Sequence, residues 1–596
     1  MFGGDEFNAH LLLRYGYTHD LFERFSKVVY KGVELPLTLL RPYHVLIRDF
    51  IDRKREDESF VERKREQWSF RSMKDVQRQL RRLPLQQEDW GKDASRDMIL
   101  LCGQYVDFAL SELSDRRVLL LHSNPYDLRA LQGKSLPSTF EVYSLHEQLL
   151  RSSAPQQARA ELFALIDEAL AAPGGAAEHE IFSMPRFPEW MRSCIGQGIV
   201  LVDLLEGVLK QYPVGAIMDH SELIYPGSIL SLLARSYGLS FINVQNHLTS
   251  DASMIPTRAT HYAVWGPSMA QWLVERGIDA SSIVQVGSLR LEHNDRRIQK
   301  TREQLLHECC TKQKQKLKQA PFVLVYTTES YPESINFTVM KWMKKLVRMI
   351  PDVQVIVRPH PSDKLSYESF VSERIHLAPS GYDLQDILNA SDCVATISST
   401  TAIEGAMLKK GIIVLQPELP YDYHINYNGY PYFLDRGQAG PVVHSARELV
   451  DCIAALLSRE GEPEAVVQAG QKFLRQMLFT DDRTPSQRMG ELVKRLLDDE
   501  SRQASIRTEE PNHASTNESL LPGVEGKRMA DLNTIRISLK DFLIMELHTL
   551  NVAEEVTNLL AAKVREDQII TNQDIKLVKN LRILVDSYTN TIENQK

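Results

Sequence analysis

The chain has 596 residues, 43% hydrophobic and 25% charged, with a formal net charge of −8. That is an ordinary soluble composition, long enough for three or four domains, and its acidic balance excludes a general nucleic-acid binder, which needs a basic face. No apolar run approaches the roughly 18 residues of a membrane span, and MFGGDEFNAH has neither a basic nor an apolar leader region, so a cytoplasmic protein is expected. The six cysteines are scattered without CxxC spacing, as reduced thiols are, and Cys309-Cys310 with His307 falls short of a metal set.

Residues 1–95 read as a helical N-terminal segment. From Arg48 to Arg82 both charge signs are interspersed, broken by Phe50, Ile51, Phe60, Val61, Trp68 and Phe70, which fits solvent-facing helices better than disorder. Arg78, Arg81 and Arg82 fall at helical spacing, and their alternative role is a basic surface for anionic lipid or an anionic acceptor.

Residues 96–292 switch to alternating strands and helices. Strands are predicted at Met98–Cys102, Val118–His122, Phe140–Tyr143, Gly215–Met218, Phe241–Val244, Tyr262–Trp265 and Ile283–Val286, the pattern of a doubly wound parallel sheet. Two of these strands end in acid and base groups. One runs into Asp219, His220 and Glu222; the next runs into Gln245, Asn246 and His247. Asp219, the first polar residue after Ala216-Ile217-Met218, is the preferred general base, with His247 next. His220 or His247 would otherwise orient a substrate. Glu222 has the simpler reading of a first-turn helix acid, and Asp219 that of a cap for a helix beginning near Tyr225.

Arg296 to Gln319 is charged and helical, a connection into a second sheet over 293–500. Its first strand, from Pro321, ends in Thr327-Thr328-Glu329-Ser330. VQVIVRPHP (353–361) is a buried strand running into Arg358 and His360, held between Pro359 and Pro361 in a stiff loop at the carboxyl end, where open α/β sheets bind ligands. Asp392 to Leu415 is one strand–helix–strand unit with Ser398, Ser399, Thr400 and Thr401 at the helix start. Unpaired N–H groups and hydroxyls there suit a phosphate; as plain N-caps they would do no more than start the helix. Asp481-Asp482 is not at a strand end, and no metal is expected. Residues 501–527 read as a flexible linker and 528–596 as a helical tail, with Leu539, Leu543, Leu547 and Leu550 on one stripe.

RPHP followed by SSTTAIEGAMLKKGIIVL resembles GT-B glycosyltransferases of bacterial surface polysaccharides. The pattern is similar to that of the CDP-glycerol glycerophosphotransferases and the capsular Kdo and sialic acid transferases, and more distantly to UDP-N-acetylglucosamine 2-epimerase. QNHL (245–248), HYAVWG (261–266) and VQVGS (284–288) belong to the same likeness, although Asn246 is inserted and Leu248 replaces a glycine. The resemblance spans roughly residues 210–495. It implies a GT-B-like α/β fold with two Rossmann-like domains facing a cleft. It also implies that His360 and Ser398–Thr400 hold the donor phosphate beside Arg358, Thr327 and Thr328, and that Glu404 accepts from the ribose hydroxyls. The expected function is transfer of a sugar or polyol phosphate from a nucleotide-activated donor, CMP-Kdo or sialic-type first and CDP-linked next, to a glycan or glycoconjugate. The donor is a substrate and no cofactor is expected; peripheral membrane or partner-protein contact through the terminal helices belongs to the same expectation. A 2-epimerase and a non-catalytic binding protein of this fold are the alternatives.

Overall fold

The computed structural model of the chain describes residues 7–84, 96–173, 178–292, 298–310, 321–329, 331–379, 381–419, 433–459 and 461–508. The expected tail 528–596 and its leucine stripe lie outside the described residues.

After a short hairpin, β1 (Val29–Tyr30) and β2 (Val33–Glu34), seven strands form the first sheet: β3 (Met98–Cys102), β4 (Arg117–His122), β5 (Phe140–Ser144), β6 (Val214–Asp219), β7 (Ser240–Val244), β8 (His261–Val264) and β9 (Ile283–Gln285). All pair in parallel, in the order β5-β4-β3-β6-β7-β8-β9. Their apolar runs are continuous rather than alternating because helices cover both faces; β3 is buried at every position. The second sheet contains β10 (Phe322–Thr327), β11 (Val353–Arg358), β12 (Ile375–Leu377), β13 (Cys393–Thr396), β14 (Gly411–Leu415) and β15 (Val442–Val443). It too is parallel, in the order β12-β11-β10-β13-β14-β15. The edge strand β12 was not among the predicted strands; it is only three residues long.

Both orders are doubly wound, with the chain reversing direction across the sheet at one point, between β3 and β6 and again between β10 and β13. Such a reversal leaves a crevice outside the carboxyl ends of the two central strands, the usual ligand position. The architecture is the GT-B-like pair of Rossmann-like sheets.

Residues 9–80 form a layer on the first sheet rather than a body of their own. Helices α1 (Ala9–Arg24), α2 (Leu40–Lys54), α3 (Glu58–Gln67) and α4 (Met73–Leu80) share one core with Met98, Leu100, Val214 and Ile229. The apolar residues that interrupt the charged block face inward: Ile51, Phe60, Val61, Trp68 and Phe70 are buried. Trp68 explains a glycine in the middle of α1, since a Cβ on Gly16 would stand 2.0 Å from the indole. The basic stripe is largely spent within this layer. Arg82 pairs with Glu23 and with Glu34 (2.8 Å), and Arg78 with Asp75 (2.8 Å).

At the other end, the helix Pro485–Thr508 returns to the first sheet: Met489, Leu492, Val493 and Leu497 share a core with Ile99, Leu120 and Met218. A helix expected to close the second domain therefore packs on the first, and it continues to Thr508, past the expected start of the linker. The crossing is tight at Trp265-Gly266. Phe479 N–H donates to the Trp265 carbonyl (2.7 Å), and a Cβ on Gly266 would stand 2.7 Å from the Met477 carbonyl.

Candidate functional site

At the second switch point, β10 and β13 end side by side in Thr327 and Thr396. The Thr396 hydroxyl donates to the Thr327 carbonyl (3.2 Å), and the Thr327 and Thr401 hydroxyls meet at 2.7 Å, so the helix Thr401–Met407 starts directly above β10. A carboxylate braces this turn. Glu329 accepts from the Thr396 hydroxyl (2.9 Å), Ile397 N–H (2.9 Å), Ser398 N–H (2.7 Å) and the Ser398 hydroxyl (2.6 Å). Burial pushes the Glu329 carboxyl above its ordinary range, against four donors that favour the charged form. Those donors, at about 1.5–3 kcal/mol each, offset a desolvation cost of several kcal/mol, so the arrangement holds only as a complete set.

This corrects the expectation for Ser398. Its N–H and hydroxyl belong to Glu329, it is 1% exposed, and Tyr331 crowds the same hydroxyl at 2.8 Å. The open donors are one step further on. Among the described residues the N–H groups of Ser399 and Thr400 meet no acceptor, and both residues are half-buried. Thr401 N–H is already taken by the Ser399 hydroxyl (3.2 Å).

The RPHP loop is braced as well. Thr328 accepts from His360 N–H (2.9 Å) and donates to Asp363 (2.6 Å), which also takes Asn336 (3.1 Å) and Tyr367. Thr327 and Thr328, both buried, are the frame of the crevice rather than its open face. His360 is exposed, and its Nδ1 accepts from Ser362 N–H (3.2 Å). A neutral ring therefore carries its proton on Nε2. Arg358 is half-buried, and its guanidinium meets no carboxylate among the described residues. Glu404 is buried; one oxygen takes Gln385 and the other lies 3.7 Å from Arg290.

Arg290 was not predicted. It follows β9 in the first domain, and its guanidinium donates to the Thr400 hydroxyl (3.4 Å) in the second, which bridges the loop after β9 to the helix start at the second switch point. The signal lay two residues past VQVGS, in the Leu289-Arg290 that follows.

At the first switch point the expected base is not at an open rim. Asp219 is 2% exposed, its Oδ1 accepts from His220 N–H (2.6 Å) and Ser221 N–H (3.2 Å), and His220 Nδ1 lies 3.2 Å from it. Asp219 does not cap the following helix, which begins at Gly227 and takes no side-chain cap. Glu222 is no first-turn acid: it sits in the loop before that helix, buried, accepting from Asn243 (2.9 Å), Thr257 and Arg258 N–H (2.6 Å). Burial, with Asp219 beside it, pushes the Cys102 thiol up. His247 is half-buried in the loop after β7, where Gln245 spans to the next strand by accepting from Trp265 N–H (2.8 Å). A cavity of about 530 Å³ lies elsewhere, lined by Asp20, Arg24, Lys64 and His179 and by none of the predicted site residues.

Residues 325–495 match the family model of CDP-glycerol:poly(glycerophosphate) glycerophosphotransferase. The likeness read from RPHP and SSTTAIEG is thus shown over this stretch, and the second domain is that of a nucleotide-dependent transferase of the surface-polysaccharide kind. No curated protein matches the chain. Among solved structures, a UDP-N-acetylglucosamine 2-epimerase is similar at 14% identity, over 70% of this chain and 99% of its own, with a TM-score of 0.40. A variant of the wall teichoic acid polymerase TagF is similar at 11% identity, over 72% and 93%, with a TM-score of 0.37. A glycosyltransferase from Rickettsia africae is similar at 11% identity, over 70% and 100%, with a TM-score of 0.39. Among the described residues no helix is long and apolar enough to cross a membrane.

Proposed function

We propose that this chain, whose second domain is of the glycerophosphotransferase type, moves a polyol phosphate from a CDP-linked donor to a hydroxyl of a glycan or glycoconjugate acceptor. The second switch point carries the reading. Arg358, His360 and the two open N–H groups of Ser399 and Thr400 lie past the ends of β11 and β13, on either side of β10, and each suits a phosphate oxygen. Glu404 and Arg290 close its far side.

The acceptor oxygen attacks the phosphorus that bears the polyol. A new O–P bond replaces the P–O bond of the diphosphate bridge, CMP leaves with that electron pair, and the acceptor proton passes to a base. His247 suits the last role: it is half-buried at a first-sheet strand end, whereas Asp219 and Glu222 are buried and held by backbone and side-chain donors. Charge developing on CMP is met by Arg358, His360 and the N–H pair.

Thermal melting with CMP, CDP, UDP and GDP tests the donor, since a ligand at about 100 times its Kd stabilises by roughly 2.7 kcal/mol. Stabilisation by CMP and CDP is expected, as is CMP release from CDP-glycerol in the presence of acceptor. Stabilisation by UDP alone overturns the donor, and turnover of CMP-Kdo or CMP-sialic acid moves the reading to sugar transfer.

A further inference from the structure

At the first switch point, where a doubly wound sheet binds its ligands, β3 and β6 end side by side in Cys102 and Asp219. Cys102 Sγ, an Asp219 carboxylate oxygen and a His220 ring nitrogen all lie within 4.8 Å of one another, and no other set of three His, Cys, Asp or Glu is grouped this way among the described residues. A further observation points to a ligand. Asp219 is 2% exposed, yet its Oδ2 meets no hydrogen-bond donor. An unmatched buried carboxylate oxygen costs about 1–3 kcal/mol, which a cation beside it would recover.

We propose that Cys102, Asp219 and His220 bind a divalent cation of the zinc class. Thiolate, imidazole and carboxylate together select a borderline ion over the all-oxygen preference of magnesium or calcium. Asp219 would bind through Oδ2, since Oδ1 already accepts from His220 N–H and Ser221 N–H; the 3.2 Å between Oδ1 and His220 Nδ1 shows that carboxylate and imidazole face one another. The three ligand atoms, within 4.8 Å of one another, draw closer on binding, toward the edge of about 3.4 Å of a tetrahedron with 2.0–2.3 Å metal bonds. The Gln104 amide, now 3.0 Å from His220 Nδ1 and half-buried, turns aside, and the Cys102 proton is released to solvent. His220 is the ligand with a solvent edge, which leaves the fourth position to water. The ion then ties the ends of β3 and β6 together on the wall of the cleft that also carries His247.

The test is a titration of the chelator-treated full chain with Co²⁺, read by the thiolate-to-cobalt absorption in the near ultraviolet, followed by Zn²⁺ competition. About one equivalent is expected, with the band lost in Cys102→Ser and affinity reduced at least about 10-fold in His220→Ala, whose apo chain is checked to melt cooperatively beside wild type. Absence of the band in the wild-type chain overturns the site. So does a band that survives Cys102→Ser, which would place the metal on another cysteine. No donor or acceptor enters the measurement, so its failure leaves the transferase reading untouched, and failure of that reading leaves the metal site standing.

Discussion

The two sheets wind in the same order around their switch points, and each braces its crevice with one glutamate from a loop: Glu222 in the first, Glu329 in the second. What each crevice leaves open differs. The second presents two N–H groups and an arginine, all donors, beside an exposed histidine; the first presents a carboxylate and imidazoles beside the Cys102 thiol. One backbone plan thus yields a wall rich in N–H groups and a guanidinium and a wall rich in carboxylate and imidazole, and only the few residues past each strand end decide which.

The largest effect should come from the basic wall. His247→Ala is expected to lower kcat about 100- to 10,000-fold with nucleotide affinity unchanged, as measured by steady-state kinetics beside calorimetry. A kcat near wild type would take the base away from His247. The braces come next. Glu329→Ala leaves the Ile397 and Ser398 N–H groups without an acceptor and should cost on the order of 3–5 kcal/mol in urea unfolding, as breaking one side of a buried charged network does. If Glu329 instead blocked the phosphate position, the same change would tighten CDP binding.

On the donor wall, His360→Ala should weaken CDP binding about 10- to 100-fold, the size of a lost charge-assisted contact of about 1.5–3 kcal/mol, with kcat less affected than KM. Unchanged affinity in calorimetry would move the phosphate away from the RPHP loop. The smallest change expected is at the bridge between the walls. Arg290 is exposed, so Arg290→Ala should raise the donor KM by at most about fivefold, the range of an exposed ion pair, and the difference should shrink in high salt.

Much of this plan was legible in the residues alone. Buried parallel strands are continuous apolar runs, so their positions and their polar carboxyl ends could be read directly, as could the hydroxyls before the helix at Thr401 and the histidine between two prolines. These are local signals, set by side-chain burial and by fixed φ. Which of those polar groups remain open is not local. Ser398 is taken by Glu329, 69 residues earlier, and Thr400 is reached by Arg290, 110 residues earlier. Asp219 reads as a rim carboxylate in sequence, but the packing of β3 and β6 sinks it beside Cys102. A strand's hydrophobicity determines where it ends; the pairing of strands distant in sequence determines which neighbour spends or spares each group at that end, and only the tertiary structure decides that.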